Sequence, residues 1–391
     1  MQFDYMIVGA GIIGLTIAYE LINRDPKLSI VIIDKEEAVA LHSSGRNSGV
    51  LHAGFYYTSD SLKARFCVEG NRKMKLFCKE HGIFVRPSKK VVVAKDESEI
   101  DGLFELHDRG LKNSVDVELI SEDDLRDLDP NVNTHIKALF SPSTASVNPK
   151  EVCIALELYL KKRGVQFQFE KAFNKSMISN SHYLINCAGL YADKIAQDFG
   201  LAKNYVLLPF KGIYYKFMGD VPPTKLNIYP VPNLKNPFLG VHYTITSDNH
   251  VKIGPTAIPA FWRENYSNFN NFSFNELLET LYFNSKLLLQ DSFNFRQLAL
   301  EEFQNYQKSY FVKKASKLVH FQENNFSKMI AGIRAQLLNK KTNELLMDFV
   351  VEHDDQSTHI LNAVSPAFTC SFAFAEYLVD EINKNRKIKC S

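Results

Sequence analysis

The sequence predicts an α/β protein, α+β overall, in which a nucleotide-binding domain is assembled from discontinuous segments and a second domain rests on a largely antiparallel sheet under a helical cap. Three observations predict it. An apolar run, a glycine turn, a helical pattern and a second apolar run follow one another from Asp4 to Asp34. A strand, a small-residue turn and a helix return at Tyr183 to Phe199 without repeating the full glycine fingerprint. Strand-like alternation then fills Val206 to Gly254, followed by helical spacing from Phe261 to Phe321.

The first stretch reads DYMIVGAGIIGLTIAYELINRDPKLSIVIID. In a Rossmann-like βαβ unit its three glycines, Gly9, Gly11 and Gly14, would make a tight turn, admit backbone to a pyrophosphate and let helix pack on strand. Ile12 and Ile13 open the helix, whose unpaired N–H groups and dipole favour an anion. Asp34, closing the second strand with Lys35 behind it, would accept hydrogen bonds from ribose hydroxyls. The pattern specifies a dinucleotide and leaves FAD or NAD open; the plainer reading is a glycine turn in an α/β protein.

The chain has 391 residues, 45% of them hydrophobic, enough for two intimately connected domains. A net charge of +2 with scattered Lys and Arg argues against nucleic acid as a partner. The six cysteines form no CxxC pair and no metal-ligand spacing, so no metal is expected, and they read as reduced thiols of a cytoplasmic chain. The N-terminus enters a strand almost at once, unlike a secretory signal, and no apolar run reaches membrane-spanning length. The expectation is a soluble protein, with peripheral contact at the inner face of a membrane allowed.

The loop His42 to Tyr57, HSSGRNSGVLHAGFYY, combines small residues with polar groups and rings. Ser44, Gly45, Ser48 and Gly49 let backbone approach something large and flat, and Arg46 and Asn47 supply polar groups. Val50 and Leu51 mark the loop as partly buried, and a buried polar loop needs a partner to satisfy it. A helix from Leu62 to His81, a strand from Lys90 to Ala94 and a helix from Glu97 to Arg109 follow. Ser121 to Asp124 forms a capping box. Leu128 to Pro149 is rich in turn formers, and a helix begins at Pro149. The return at Tyr183 carries Cys187, Ala188 and Gly189 in its turn. Strands are predicted at Val206 to Met218, Leu226 to Val231, Pro237 to Thr246 and His250 to Gly254. Their inner face offers Lys211, Tyr215, His242 and Tyr243 to a pocket, each equally readable as an ordinary strand residue. Ser273 to Glu276 reads as a second capping box in the helical cap, where Trp262 has no assigned role. Near the end, Arg334 follows a short apolar strand and Gly332. A strand from Thr358 to Asn362 leads through Ser365, Pro366 and Ala367 into a small-residue helix whose positive end suits an electron-rich partner.

These motifs together resemble the D-amino-acid-oxidase-like superfamily of FAD-dependent oxidoreductases and, within it, the L-2-hydroxyglutarate dehydrogenase/oxidase family. The resemblance runs nearly end to end. It is carried by VGAGIIG, RNSGVLHAGFYY, SLKARFCVEGNR, CAGLYAD, PFKGIYY, IYPVPNLKNPFLGVHYT with VKIGP, GIRAQ and LNAVSPAFTCS. Asp34 stands where glutamate is common and Lys211 where arginine is common, and Glu170 to His182 is shorter than the family's hairpin.

The resemblance implies FAD as cofactor. It also implies an FAD-binding domain drawn from residues 1–80, 149–204 and 327–391 and a substrate domain drawn from 81–148 and 205–326. The implied reaction oxidises L-2-hydroxyglutarate to 2-oxoglutarate by hydride transfer from the substrate α-carbon to flavin N5, with electrons passed to O2 or a quinone. Such chemistry needs a cation for the C1 carboxylate, a base for the hydroxyl and a clamp for the distal carboxylate of a small dicarboxylate. Arg334 supplies a planar fork for the first and His52 a neutral-pH base for the second. Lys211, Tyr215, His242 and Tyr243 are candidates for the third. Alternatives are an FAD-dependent amine or amino-acid oxidase of the same fold, and a redox-inactive flavin-binding interaction protein.

Overall fold

Strand Phe3–Val8 lies inside a six-stranded sheet ordered Val350–His353, Ser357–Asn362, Ser181–Asn186, Phe3–Val8, Ile30–Ile33, Gln166–Gln168. All neighbours are parallel except the first pair. A parallel strand covered on both faces reads as a continuous apolar run, and all four residues of Ile30–Ile33 are buried. The sheet therefore draws on three distant stretches of chain, as the repeated strand-turn-helix signal predicts. The computed structural model describes residues 2–232, 239–321 and 325–390.

Helix Ile12–Arg24 packs its apolar side on this sheet beside helix Pro149–Lys162 and the long C-terminal helix Ala367–Cys390. Asn148 caps Pro149–Lys162, its side chain accepting from Lys150 N–H at 3.1 Å. Helix Leu62–Glu80 crosses the C-terminal helix at Gly70, where an added Cβ would stand 2.3 Å from the Thr369 carbonyl oxygen. Phe66, Phe349 and Phe374 fill the space beneath this crossing.

An eight-stranded sheet forms the second layer, ordered Phe326–Lys328, Tyr215–Phe217, Val251–Gly254, His242–Ile245, Asn227–Pro230, Lys90–Val93, Lys137–Ser141, Glu118–Ser121. Only the pair Lys90–Val93 with Asn227–Pro230 is parallel. Between the two layers, Tyr205–Gly212 pairs antiparallel with Gly332–Asn339 along eight residues of each.

Several expected elements differ. The turn-rich stretch Leu128 to Pro149 contains strand Lys137–Ser141, whose residues Ala138 to Ser141 pair antiparallel with Lys90–Val93. The predicted strand Val206 to Met218 breaks at Ile213 and Tyr214, which join two sheets. The predicted strand from Pro237 starts in residues outside the described ones and continues as His242–Ile245. Helical structure expected from Phe261 begins only at Phe274, because Asn268 and Asn271 adopt left-handed backbone and hold the segment as turns. Trp262 anchors those turns, stacked near Phe269 and donating Nε1–H to the Asn270 carbonyl at 2.9 Å. The capping box at Ser121 is complete. At Ser273 only the hydroxyl caps, since the Glu276 carboxylate accepts from Arg263 N–H instead. Arg334 lies within strand Gly332–Asn339 rather than after a strand.

Candidate functional site

The parallel strands end in the turns Gly9–Gly11, Asp34–Glu36, Cys187–Gly189 and Ala363–Pro366, and a groove crosses the sheet above these carboxyl ends. Its larger part, about 560 Å³, runs over Asp34 and Lys35 toward Lys171, Phe173 and Tyr191. Its smaller part, about 250 Å³, ends among His52, Tyr214, Thr256 and Arg334. The two share Gly11, Ser43, Ser44, Cys187 and Gly189.

Each glycine of the first turn does separate work. Gly9 sits at φ +109°, and a Cβ there would stand 2.4 Å from the Cys187 carbonyl oxygen. At Gly14 an added Cβ would stand 2.1 Å from the Gly9 carbonyl oxygen, so helix and turn touch backbone to backbone. Gly11 opens to the groove next to Ser44, whose hydroxyl accepts from Ile12 N–H at 2.9 Å. Asp34 fixes the turn, accepting from Ala10 N–H at 2.7 Å and Glu36 N–H at 2.9 Å. Each of its oxygens keeps a second lone pair for a ribose hydroxyl. Lys35 pairs with Glu36 and with buried Glu264 at 2.6 Å. His42 bridges Glu36 at 2.8 Å and the Tyr266 hydroxyl at 2.7 Å, tying the turns after Trp262 over this end.

The narrow end is built from both layers. The His52 backbone is pinned by three side chains from two helices: its N–H donates to Thr369 Oγ1 at 3.2 Å, and its carbonyl accepts from Asn71 at 2.9 Å and from the Cys67 thiol at 3.4 Å. The His52 ring faces Lys90, with Nδ1 3.3 Å from Nζ. Lys90 is fully buried among Tyr229, Tyr56 and Phe55, its ammonium 4.1 Å from the Tyr229 ring centre. His242 stacks on the other side of Tyr229 at 3.8 Å and donates Nδ1–H to the Gly240 carbonyl. Lys252 lies over the Tyr214 ring at 4.8 Å.

Burial governs the protonation of this group. It pushes Lys90 down to about 7 and Lys252 to about 8, and it holds His242 at about 3. His52 falls well below the usual histidine value through burial, reinforced by Lys90 and His242. Burial also lowers Arg334, although Tyr214 and Tyr57 oppose it. Among the described residues, no Asp or Glu lines the narrow cavity, and none lies within 4 Å of Lys90 or Lys252. A buried cationic site without carboxylates is costly until an anion enters it.

Of the positions expected to hold a cofactor, Gly9, Gly11, Ile12, Ile13, Asp34, Lys35, Ser44, Arg46, Asn47, Ser48, Cys187, Ala188, Gly189, Pro366 and Ala367 all line the groove. Gly14, Gly45 and Gly49 do not; they let backbone segments pass, Gly45 against the Ala40 carbonyl and Gly49 against the Val147 carbonyl. His52 and Arg334 share the narrow cavity. The other four expected residues do not line it. Tyr215 and Tyr243 sit in the apolar core of the eight-stranded sheet. Lys211 donates to Asn265 Oδ1 at 2.9 Å, and burial lowers it to about 8. His242 stands behind Tyr229, next to Lys90 and His52 in charge terms rather than on the cavity wall. Sequence reading missed Tyr214, Thr256, Lys90 and Lys252. Tyr214 was one residue away from the expected Tyr215, on the opposite side of the chain.

A glycine-turned helix N-terminus, an acid at the second strand's end and a flat, small-walled cavity define a dinucleotide-dependent enzyme, and the chain belongs to the DAO family of FAD-dependent oxidoreductases, whose model matches residues 4–381. FAD is its cofactor, and the residues fit it: the groove has an anion-favouring middle at Gly11 and open space at Gly189, whose φ is +54° and which no neighbour crowds. Among curated relatives, L-2-hydroxyglutarate dehydrogenase of Escherichia coli strain K12 is 33% identical, covering 97% of this chain and 93% of its own. The mitochondrial L-2-hydroxyglutarate dehydrogenase of Homo sapiens is 34% identical, covering 98% and 89%. Among solved structures, dithionite-reduced L-alpha-glycerophosphate oxidase from Mycoplasma pneumoniae with FAD bound superimposes with a TM-score of 0.75 at 21% identity, over 98% of this chain and 95% of that one. The chain is thus an FAD-dependent oxidoreductase related along its length to dehydrogenases of a 2-hydroxy acid.

Proposed function

We propose that the protein oxidises L-2-hydroxyglutarate to 2-oxoglutarate. The observation that carries this reading is the narrow cavity, whose wall carries Arg46 and Arg334 and, among the described residues, no carboxylate, which suits a dianion and which is consistent with the substrate named for its relatives. Bound FAD supplies the hydride acceptor, flavin N5. Arg334 grips the C1 carboxylate with a fork that matches its two oxygens. His52, buried and neutral, takes the hydroxyl proton. Buried Lys252, over the Tyr214 ring, contributes positive potential that favours the distal carboxylate. The first turn of Ala367–Cys390 presents its positive end to the cavity through Pro366 and Ala367. A cationic amine would meet only like charge here, so the amine-oxidase alternative is disfavoured.

The proposed division is an FAD-binding unit from 1–80, 149–204 and 327–391 and a substrate unit from 81–148 and 205–326. The acceptor of the electrons is O2 or a membrane quinone. Peripheral membrane contact is supported by an exposed apolar stripe on helix Phe274–Gln290, where Phe274, Leu278, Leu281, Tyr282 and Leu289 recur at helical spacing. Among the described residues, no helix is long and apolar enough to cross a membrane.

The test is anaerobic bleaching of the bound flavin with a panel of acids. L-2-hydroxyglutarate should bleach it, with lactate, glycine and sarcosine slower by orders of magnitude. Preferential bleaching by glycine or sarcosine would transfer the assignment to amine oxidation.

A further inference from the structure

Lys90 belongs to a strand of the second layer yet has its Nζ 3.3 Å from His52 Nδ1. Tyr229 and Tyr56 close around it, and Cys67 and His242 are the other titratable neighbours that bear on this pair. Two hydrogen-bonding states are open to such a contact. An ammonium donates to Nδ1 and leaves the proton of His52 on Nε2, where a base needs a lone pair. A neutral amine accepts from Nδ1–H and frees Nε2.

We propose that Lys90 is a positioning residue that, as the neutral amine, holds His52 in its Nδ1–H tautomer and receives that proton during turnover. This rests on the reading of His52 as the base. The substrate O–H proton moves to Nε2 as the Cα–H bond breaks, its electron pair leaving as hydride to FAD and the oxygen closing the C=O bond. The Nδ1 proton passes to Nζ, so His52 ends neutral and Lys90 ends as an ammonium. A proton lodged on Lys90 then adds positive charge beside the product carboxylates. Lys90 titrates at about 7 through burial, so both of its states are available near neutrality.

The test uses the FAD-loaded full chain with 15N-labelled histidine, the His52 signals being assigned with His52→Gln. In the wild type above pH 7 the proton should sit on Nδ1, and Lys90→Arg, whose charge is permanent, should move it to Nε2. An identical tautomer in both proteins at every pH overturns the proposal. Flavin bleaching by L-2-hydroxyglutarate gives the second readout. Lys90→Met should slow it by about tenfold to a hundredfold, leave KM unchanged and shift the acid limb of the rate from near pH 7 to lower pH, toward the depressed value of His52 alone. A raised KM at unchanged rate would make Lys90 a carboxylate contact instead and overturn the relay. Retained flavin absorbance shows that the variants fold. If the wild type is not bleached, the functional reading fails, while the tautomer measurement, which needs no substrate, still decides the relay.

Discussion

Arg334 occupies strand Gly332–Asn339 opposite Phe210, a position that fixes its backbone while its guanidinium reaches the narrow cavity. Removing a buried partner of a carboxylate costs about 2–5 kcal/mol, so Arg334→Ala should raise KM for L-2-hydroxyglutarate by about 30-fold to several thousandfold. Arg334→Lys should recover part of that, because it restores charge without the fork. Steady-state kinetics with oxygen or a dye acceptor checks this, and an unchanged KM would make Arg334 structural. Arg334 and His52 were legible because each follows a small-residue motif. Lys90 and Lys252 were not. In KVVV and VKIG a lysine reads as the solvent-facing member of an alternating strand, whereas all four residues of both strands are buried here. Burying them is tolerated beside aromatic faces, and that cannot be inferred from local alternation.

Helix crossings decide where the site residues stand. Gly70 admits the Thr369 carbonyl, and the Thr369 hydroxyl in turn receives the His52 N–H and donates to the Val50 carbonyl. Gly70→Ala should push the two helices apart and lower both thermal stability and the rate of flavin reduction, a coupling that thermal melts and stopped-flow bleaching can check together. Gly14→Ala meets the Gly9 carbonyl at 2.1 Å and should strip FAD from the purified chain, visible as a lost yellow absorbance. The glycine turn was legible because only glycine serves at such contacts, strand Ile30–Ile33 because both of its faces are apolar, and Ser181–Asn186 through its apolar centre Tyr183 to Ile185. Strand Lys137–Ser141 was not, since its partner Lys90–Val93 lies some distance away in sequence and its flanks are turn formers. The break at Ile213 and Tyr214 was also hidden: a change of sheet reverses which tyrosine meets the cavity, and alternation alone carries no sign of it.

Across the whole molecule, three buried histidines, His52, His242 and His359, are held neutral, with His242 at about 3 and His359 at about 4. The unfolded chain binds protons on these rings at about 6.5, where the folded chain does not. Stability from these groups is therefore complete above about pH 6.5 and is lost as pH falls below it. The melting temperature should drop between pH 6.5 and 5, with uptake of about three protons on unfolding; a flat profile would mean that these rings are accessible in the native state. The two layers meet along Tyr205–Gly212 and Gly332–Asn339, so one layer supplies the cofactor groove and the other backs it with Lys90, Lys252 and His242. That division explains why the FAD class was readable from one end of the chain while substrate choice required the assembled pair. The most direct test is a single anaerobic turnover with each enantiomer of 2-hydroxyglutarate, following the flavin band and the product together. The L form should bleach the flavin and yield one 2-oxoglutarate per flavin reduced. A flavin that stays oxidised with the L form, or bleaches without 2-oxoglutarate, would contradict the assignment.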